Sequence, residues 1–225
     1  VTAISFDESR KYLSGAKNVV LTGNPVRESI INADREKARA ELNIGDEKLV
    51  LVVGGSLGAM KINDVLCDYL KSTKKENVKF VISTGKRDFD RVKENLNGAK
   101  NDGYFEILPY IHNMDTYLAA ADLVICRSGA ITLSEICALK KPSILIPSPN
   151  VTHNHQEFNA SALVKESAAI MIKENVFDKS SLSRAVDKLL DNDALRKKYG
   201  ENAYKLAQKD ASKLICESIM KFASR

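Results

Sequence analysis

From about residue 48 onward, short runs of apolar and β-branched residues alternate with stretches whose apolar positions recur at helical spacing. The runs at 48–53, 79–83, 104–108, 122–126, 143–146 and 168–172 predict strands. Most are continuously apolar rather than alternating, the pattern of parallel strands covered on both faces. The intervening stretches at 58–72, 87–96, 113–121, 130–140 and 155–166 predict helices. Such alternation implies a doubly wound α/β domain around a parallel sheet. Residues 178–191, 194–208 and 211–223 add helices with no strand between them. The last carries Leu214, Ile215, Ile219, Met220 and Phe222, with lysines to one side. Its apolar stripe is expected to pack on protein, with a membrane-surface helix as the alternative.

The first 45 residues do not join this unit cleanly. Segments 1–6 and 18–22 predict strands, Gly23-Asn24-Pro25 marks a turn or linker, and 34–42 reads as a charged surface helix stopped at Gly45. No internal repeat or low-complexity tract is present.

Length sharpens this division. At about 150 residues per domain, 225 residues amount to roughly one and a half. The chain is 44% hydrophobic and 28% charged, with mean hydropathy −0.22, the balance of an ordinary globular protein. Its formal charge is +5, with acidic residues interspersed among the basic ones. This is weak support for nucleic-acid binding and equally suits an anionic small substrate or an anionic membrane surface. No Trp is present and aromatics are 6%, so no base-stacking platform is advertised and no nucleic-acid partner is expected.

No apolar run approaches the roughly 18 residues needed to span a bilayer. The opening Val1-Thr2-Ala3-Ile4-Ser5-Phe6-Asp7-Glu8 lacks the basic flank and apolar stretch of a signal peptide. It also lacks an initiator Met, so the chain is expected to begin inside a longer one. Cys67, Cys126, Cys137 and Cys216 are far apart with no CxxC pair, which argues against a zinc ribbon or disulfide framework and for a reduced cytosolic compartment.

Three segments carry candidate chemistry. In Leu51-Val52-Val53-Gly54-Gly55-Ser56-Leu57-Gly58-Ala59, a buried strand runs through a glycine-rich turn into a helix. Backbone N–H groups and the positive helix end suit such a turn to a phosphate. The dinucleotide fingerprint is a near miss: Gly55 and Gly58 are correctly separated, but Gly54 is one place late. Ile82-Ser83-Thr84-Gly85 also stand where that fingerprint expects an acidic residue, which argues against NAD. Tight strand-to-helix packing without a ligand explains this loop as well as phosphate binding does.

The second segment, Cys126-Arg127-Ser128-Gly129-Ala130-Ile131-Thr132-Leu133-Ser134-Glu135, follows another apolar strand and again opens a helix. Ser128 and Gly129 join Gly55 and Gly58 as phosphate-loop candidates. Thr132 and Glu135, three apart, share a helix face. The hydroxyl could meet a phosphate, and the carboxylate could accept both hydrogens of a ribose diol. Thr-x-x-Glu is equally a capping box, so both readings stand. Two such turns at the carboxyl ends of strands favour function, because ligands bind at that edge.

The third, Pro147-Ser148-Pro149-Asn150-Val151-Thr152-His153-Asn154-His155-Gln156-Glu157-Phe158-Asn159-Ala160, is a proline-bounded loop leading into a helix. His153, His155 and Glu157 invite a metal, but no further ligand motif accompanies them. Asn154 and Glu157 read as helix caps. Gln156 could offer its amide to sugar hydroxyls. Asp88-Phe89-Asp90 has the spacing of metal-dependent sugar transferases, but side chains two apart on a helix diverge, and a solvated helix start is expected instead. His112 has no visible partner for a general-base role.

Together, Thr22-Gly23-Asn24-Pro25-Val26-Arg27, Gly54-Gly55-Ser56-Leu57-Gly58-Ala59, Arg127 to Glu135 and His155-Gln156-Glu157-Phe158-Asn159-Ala160 resemble the MurG family in order and spacing, over nearly the whole chain. These are the bacterial peptidoglycan transferases that move N-acetylglucosamine from UDP-N-acetylglucosamine to undecaprenyl-diphosphate-linked N-acetylmuramyl-pentapeptide. Leu57 stands where the family usually has Gln, which spares the backbone phosphate role and removes one side-chain contact.

The resemblance implies the carboxyl-terminal half of a GT-B glycosyltransferase: a Rossmann-like doubly wound parallel sheet with extra carboxyl-terminal helices. It divides the chain into the end of an amino-terminal domain and linker (1–27), a UDP-sugar domain (28–208), and a helix packing on the preceding domain (209–225). By the same likeness Arg27 and Ser56 touch the diphosphate, the Ile111 backbone pairs with uracil, Ala130 to Thr132 line the phosphate end, Glu135 binds the ribose hydroxyls and Gln156 contacts the sugar. The likeness calls for no metal and no cofactor. The family's glycine-rich loop with its proposed base has no match here, so no catalytic residue is assigned. Partners implied are UDP-N-acetylglucosamine and the lipid-linked acceptor, the latter through the preceding domain, with the full-length enzyme peripheral on the cytoplasmic face of the membrane. Rival readings are a non-catalytic UDP-sugar-binding module and a UDP-N-acetylglucosamine 2-epimerase-like enzyme.

Overall fold

Strands that are apolar on both faces need cover on both faces, and the chain supplies it. The computed structural model describes residues 1–55, 59–101 and 103–223. Two short strands, β1 (Thr2–Ile4) and β2 (Val19–Leu21), form a separate parallel pair with Thr2 opposite Val19. The other six, β3 (Lys48–Val53), β4 (Val78–Ser83), β5 (Phe105–Leu108), β6 (Leu123–Cys126), β7 (Ser143–Leu145) and β8 (Ala169–Met171), form one wholly parallel sheet in the order β5-β4-β3-β6-β7-β8. The order reverses between β3 and β6, where Val50 to Val53 pair with Leu123 to Cys126. That is the Rossmann arrangement and its switch point.

The helices are α1 (Glu28–Ile31), α2 (Arg35–Glu41), α3 (Met60–Ser72), α4 (Phe89–Asn95), α5 (Met114–Ala120), α6 (Ala130–Ala138), α7 (His155–Lys165), α8 (Lys179–Leu190), α9 (Asp193–Lys205) and α10 (Ala211–Ala223). Successive strand residues point to opposite faces, so each strand feeds two cores. Val50, Val52, Phe80, Ile82 and Ile125 pack with Ile62, Leu66 and Tyr69 of α3 and with Leu182, Val186 and Leu189 of α8. Leu49, Leu51, Val81, Val124 and Leu145 pack on the other face with Leu118 of α5, Leu133 and Ile136 of α6 and Leu163 of α7. Asp34 caps α2 by accepting from the Lys37 amide, Asp178 and Ser181 form a capping box on α8, and Asn192 caps α9.

Every element expected from residue 48 onward is present, with ends within three residues of those expected. The short α1 and the 3-10 helices Asp7–Tyr12, Thr152–Asn154 and Glu174–Val176 were not legible, since elements of one or two turns carry too little periodicity. Among the described residues no helix is long and apolar enough to cross a membrane. Helix α10 leaves Ile219, Met220 and Phe222 exposed, while Leu214 lines a cavity shared with Val1 and Val20 beside the β1–β2 pair.

Candidate functional site

At the carboxyl edge of the sheet, the turns after β3 and β6 flank the switch point. Gly55 has φ +91°, a left-handed conformation that glycine alone adopts without strain, and a Cβ there would meet nothing within 4 Å among the described residues. Packing therefore does not explain this glycine. Ser56 and Gly58 lie outside the described residues. After β6, Gly129 is the N-cap of α6 with an ordinary φ of −64°, and a Cβ there would also meet open space. Neither conformation nor packing demands glycine at 129, which leaves room for a ligand to approach the first amides of α6. Beside it Ser128 is fully buried, and its Oγ has no hydrogen-bond partner among the described residues.

Helix α6 overturns the capping-box reading of Thr132 and Glu135. Its N-cap is Gly129, which makes no side-chain cap, so Thr132 lies inside the first turn and Glu135 a turn deeper. Glu135 turns toward the linker instead, with Oε1 3.7 Å from Arg27 Nη2. The Glu135 side chain is 12% exposed and the Arg27 side chain 59%. Burial pushes the Glu135 carboxyl above its ordinary value, and Arg27 partly offsets that rise. Residue 24 holds the linker in place. Asn24 Nδ2 donates to Ser134 Oγ at 3.1 Å, while its Oδ1 accepts from Ser5 Oγ at 2.8 Å. Sequence reading singled out no role for Asn24, because an Asn beside Pro looks like an ordinary turn residue.

Ile111 follows β5 with its side chain buried, which fixes its backbone at the same edge; Tyr110 and His112 flank it, stacked edge-on at 4.8 Å between ring centroids. On the other side of the switch point, Gln156 opens α7. Its Oε1 accepts from the Ser148 amide at 3.0 Å, so Nε2 is the end oriented to donate. Asn159 Nδ2 donates to the Ser128 carbonyl at 3.1 Å and ties α7 to the turn that opens α6. Arg127 joins three strand ends: Nη1 donates to the carbonyls of Ile146 and Pro147 at 3.1 and 3.2 Å, and Nη2 pairs with Glu174.

Two local expectations are corrected. Asn154 makes no capping bond, because both His153 and Asn154 are left-handed (φ +52° and +51°); its Nδ2 donates instead to Glu157 Oε2, and Glu157 also pairs with Lys173. Asp88 is not solvated. It is buried, accepts from Asn63 Nδ2, and is held by Arg91, which keeps its carboxyl below the ordinary range, while Asp90 is exposed. Among the described residues no group of three or more His, Cys, Asp or Glu could hold a metal ion. His153 and His155 instead line an apolar cavity of about 480 Å³ with Phe6, Leu13 and Phe158.

The family profile of the glycosyltransferase family 28 C-terminal domain matches residues 49–215. The chain belongs to that family. It is 41% identical over 222 residues to the UDP-N-acetylglucosamine--N-acetylmuramyl-(pentapeptide) pyrophosphoryl-undecaprenol N-acetylglucosamine transferase of Thermoanaerobacter sp. (strain X514), covering 97% of this chain and 61% of that protein. Among solved structures, Acinetobacter baumannii MurG superposes with a TM-score of 0.76 at 25% identity, over 95% of this chain and 62% of that one. The UDP co-structure of S. aureus MnaA, at 15% identity and a TM-score of 0.68 over 96% of this chain and 57% of that one, shares the fold. The chain spans about three fifths of the length of the curated relatives it matches. The profile begins one residue into β3 and ends in α10, so the glycosyltransferase 28 unit contains both switch-point turns, Glu135 and Gln156.

Proposed function

We propose that this chain is the donor-binding half of an inverting N-acetylglucosaminyltransferase acting on a lipid-linked N-acetylmuramyl-pentapeptide. The observation that carries the reading is the switch point between β3 and β6: two small-residue turns open there, with Glu135 one turn into the helix that the second turn starts. The candidates are spread along the carboxyl edge of the sheet, from the end of β5 to the end of β7. Ile111 after β5 faces the base, Glu135 the ribose, Arg27, Ser56 and residues 128–132 the diphosphate, and Gln156 after β7 the sugar. With strands about 4.8 Å apart, β5 to β7 covers roughly 19 Å, the scale of such a ligand laid out along the edge. The names of the relatives support this donor and this acceptor.

In the complete enzyme the acceptor hydroxyl oxygen attacks the anomeric carbon while the bond from that carbon to the UDP oxygen breaks. The hydroxyl proton passes to a base supplied by the amino-terminal domain, and the diphosphate leaves with the bonding electrons. The amino end of α6 and Arg27 are placed to stabilise that developing charge. On this reading residues 1–27 belong to the amino-terminal domain and the linker, 28–208 form the donor domain, and 209–225 return to the other domain; the isolated β1–β2 pair with α10 beside it supports that division. A lipid-linked acceptor brings the full-length enzyme to a membrane surface.

Calorimetric titration of the folded chain tests the donor claim. Saturable heat with UDP and with UDP-N-acetylglucosamine is expected, and no transfer on adding acceptor to this chain alone. No heat at millimolar ligand overturns the reading. Conversion of the sugar without acceptor replaces it with an epimerase.

A further inference from the structure

The amino-terminal edge of the sheet, opposite the donor edge, holds a cavity of about 490 Å³, against about 30 Å³ for one water. Arg35, Lys140, Lys141, Arg196 and Lys197 line it with only three carboxylates, Asp122, Asp193 and Glu201. Those carboxylates are already shared. Asp122 is bound by Arg35 at 2.9 Å and by Arg39 at 3.2 Å; Asp193 by Arg196 at 2.7 Å and by Lys48 at 2.9 Å; Glu201 faces Lys140 at 3.5 Å. Lys141 and Lys197 have no carboxylate against them among the described residues. Lys141 is 6% exposed and donates to the carbonyls of Ala119 and Ala121 at 2.6 and 3.0 Å. An ammonium has three N–H groups, so one buried donor is left over. The amino end of α9, which carries Arg196 and Lys197, adds positive potential. The carboxyl end of α5 opposes it with about half a charge, less than the surplus.

We propose that this cavity binds a doubly charged tetrahedral oxyanion, a phosphoryl group free or carried on a larger molecule, between Lys141, Lys197 and Arg35. The ligand supplies the acceptor that the third N–H of Lys141 lacks and neutralises the charge that the three carboxylates leave over. Burial and the guanidinium groups of Arg35 and Arg39 push the Lys141 ammonium down to about 7, against the pull of Asp122. Binding therefore takes up a proton. The other charged groups around Lys141 are Arg35 and Arg39 from α2, Asp122 before β6, Lys140 beside it, and Arg196, Lys197 and Glu201 from α9.

The test follows backbone amide NMR signals during titration with sulfate, which does not titrate in the pH range used, at constant ionic strength. Saturable shifts are expected at Ala121, Lys141 and Lys197, about tenfold weaker at pH 8.5 than at pH 6. Lys197→Ala should weaken them several-fold, and Lys141→Met should remove their pH dependence. Pyrophosphate binding without sedimentation on phosphatidic acid vesicles assigns a soluble ligand, and sedimentation relieved by Lys197→Ala assigns a lipid headgroup. Shifts confined to Gly129 and Ala130, or unchanged by Lys197→Ala, overturn the proposal.

Discussion

Arg27 and Glu135 form an ion pair at 3.7 Å across the join between the linker and α6, so the groups proposed to meet the diphosphate and the ribose lie against each other. Burial raises the Glu135 carboxyl above its ordinary value, and an Arg27 side chain that remains largely in solvent partly offsets the rise. Glu135→Ala should weaken UDP binding by about 1–3 kcal/mol, the value of a lost charged hydrogen bond, and calorimetry reads it directly. Unchanged UDP affinity would remove Glu135 from the site.

The same pair sets a pH dependence. Burial raises the Glu135 carboxyl and Arg27 lowers it, so Arg27→Ala leaves the rise unopposed. Only the carboxylate accepts two ribose hydrogens, so UDP affinity should fall as pH drops through the Glu135 pKa. In Arg27→Ala the fall should begin at higher pH than in the parent chain. Dissociation constants for UDP measured between pH 4 and 7 compare the two curves, and superimposable acid limbs would contradict the coupling.

Arg127 gives a test of the sugar end. Its Nη1 holds the carbonyls of Ile146 and Pro147, and the next amide, that of Ser148, fixes Gln156 Oε1. Loosening that chain displaces Gln156 while leaving the uracil end at Ile111 untouched. Lysine cannot hold two carbonyls and Glu174 with the same fork. Arg127→Lys should therefore cost about 1 kcal/mol of UDP-N-acetylglucosamine affinity beyond any loss of UDP affinity. Equal losses for both ligands would mean that Arg127 acts through the turn at Ser128 and Gly129.

The sheet and most helices were legible because their signal is local: six short β-branched runs, most of them continuously apolar and alternating with helical patterns, point to buried parallel strands. The glycine turns were legible for the same reason. What they could not show was whether packing required the glycines. The open space at Gly129 answers that, and it depends on residues far away in the chain. The bonds made by Asn24 and Asn159 were invisible because they join segments 110 and 31 positions apart. The capping-box alternative failed because the helix starts at Ala130 with Gly129 as its N-cap, which places Thr132 within the first turn rather than at the cap.

Packing demands a glycine at position 200. Gly200 in α9 approaches the turn after α6 so closely that a Cβ there would stand 2.3 Å from the Lys140 carbonyl oxygen, and the obstacle is backbone rather than a flexible side chain. Gly200→Ala should lower stability by about 1–3 kcal/mol despite the better helix propensity of alanine. Urea unfolding measures the loss. UDP affinity should be unchanged in the folded fraction, since this contact lies at the opposite edge of the sheet from the donor turns.

Lys141 makes a prediction independent of any ligand. The neutral amine has two hydrogens, matched by the carbonyls of Ala119 and Ala121, whereas the ammonium carries a third into a buried, positively charged surrounding. Its folded pKa of about 7 lies below the ordinary lysine value of 10.5, so between those limits the unfolded chain binds a proton that the folded chain does not. Stability from this group is therefore fully present above the unfolded pKa and lost as pH falls through 7. Lys141→Met, of similar length and without charge, removes the dependence. Between pH 7 and 10 the parent chain should gain stability over the variant by up to about 4 kcal/mol, at about 1.4 kcal/mol for each unit of pH. Below pH 7 the variant should be at least as stable as the parent, because it no longer buries an unpaired cation. Urea midpoints for both proteins at pH 6, 8 and 9.5 decide it. A constant difference across that range would mean that Lys141 stays protonated in the folded chain, which requires an anion already held beside it.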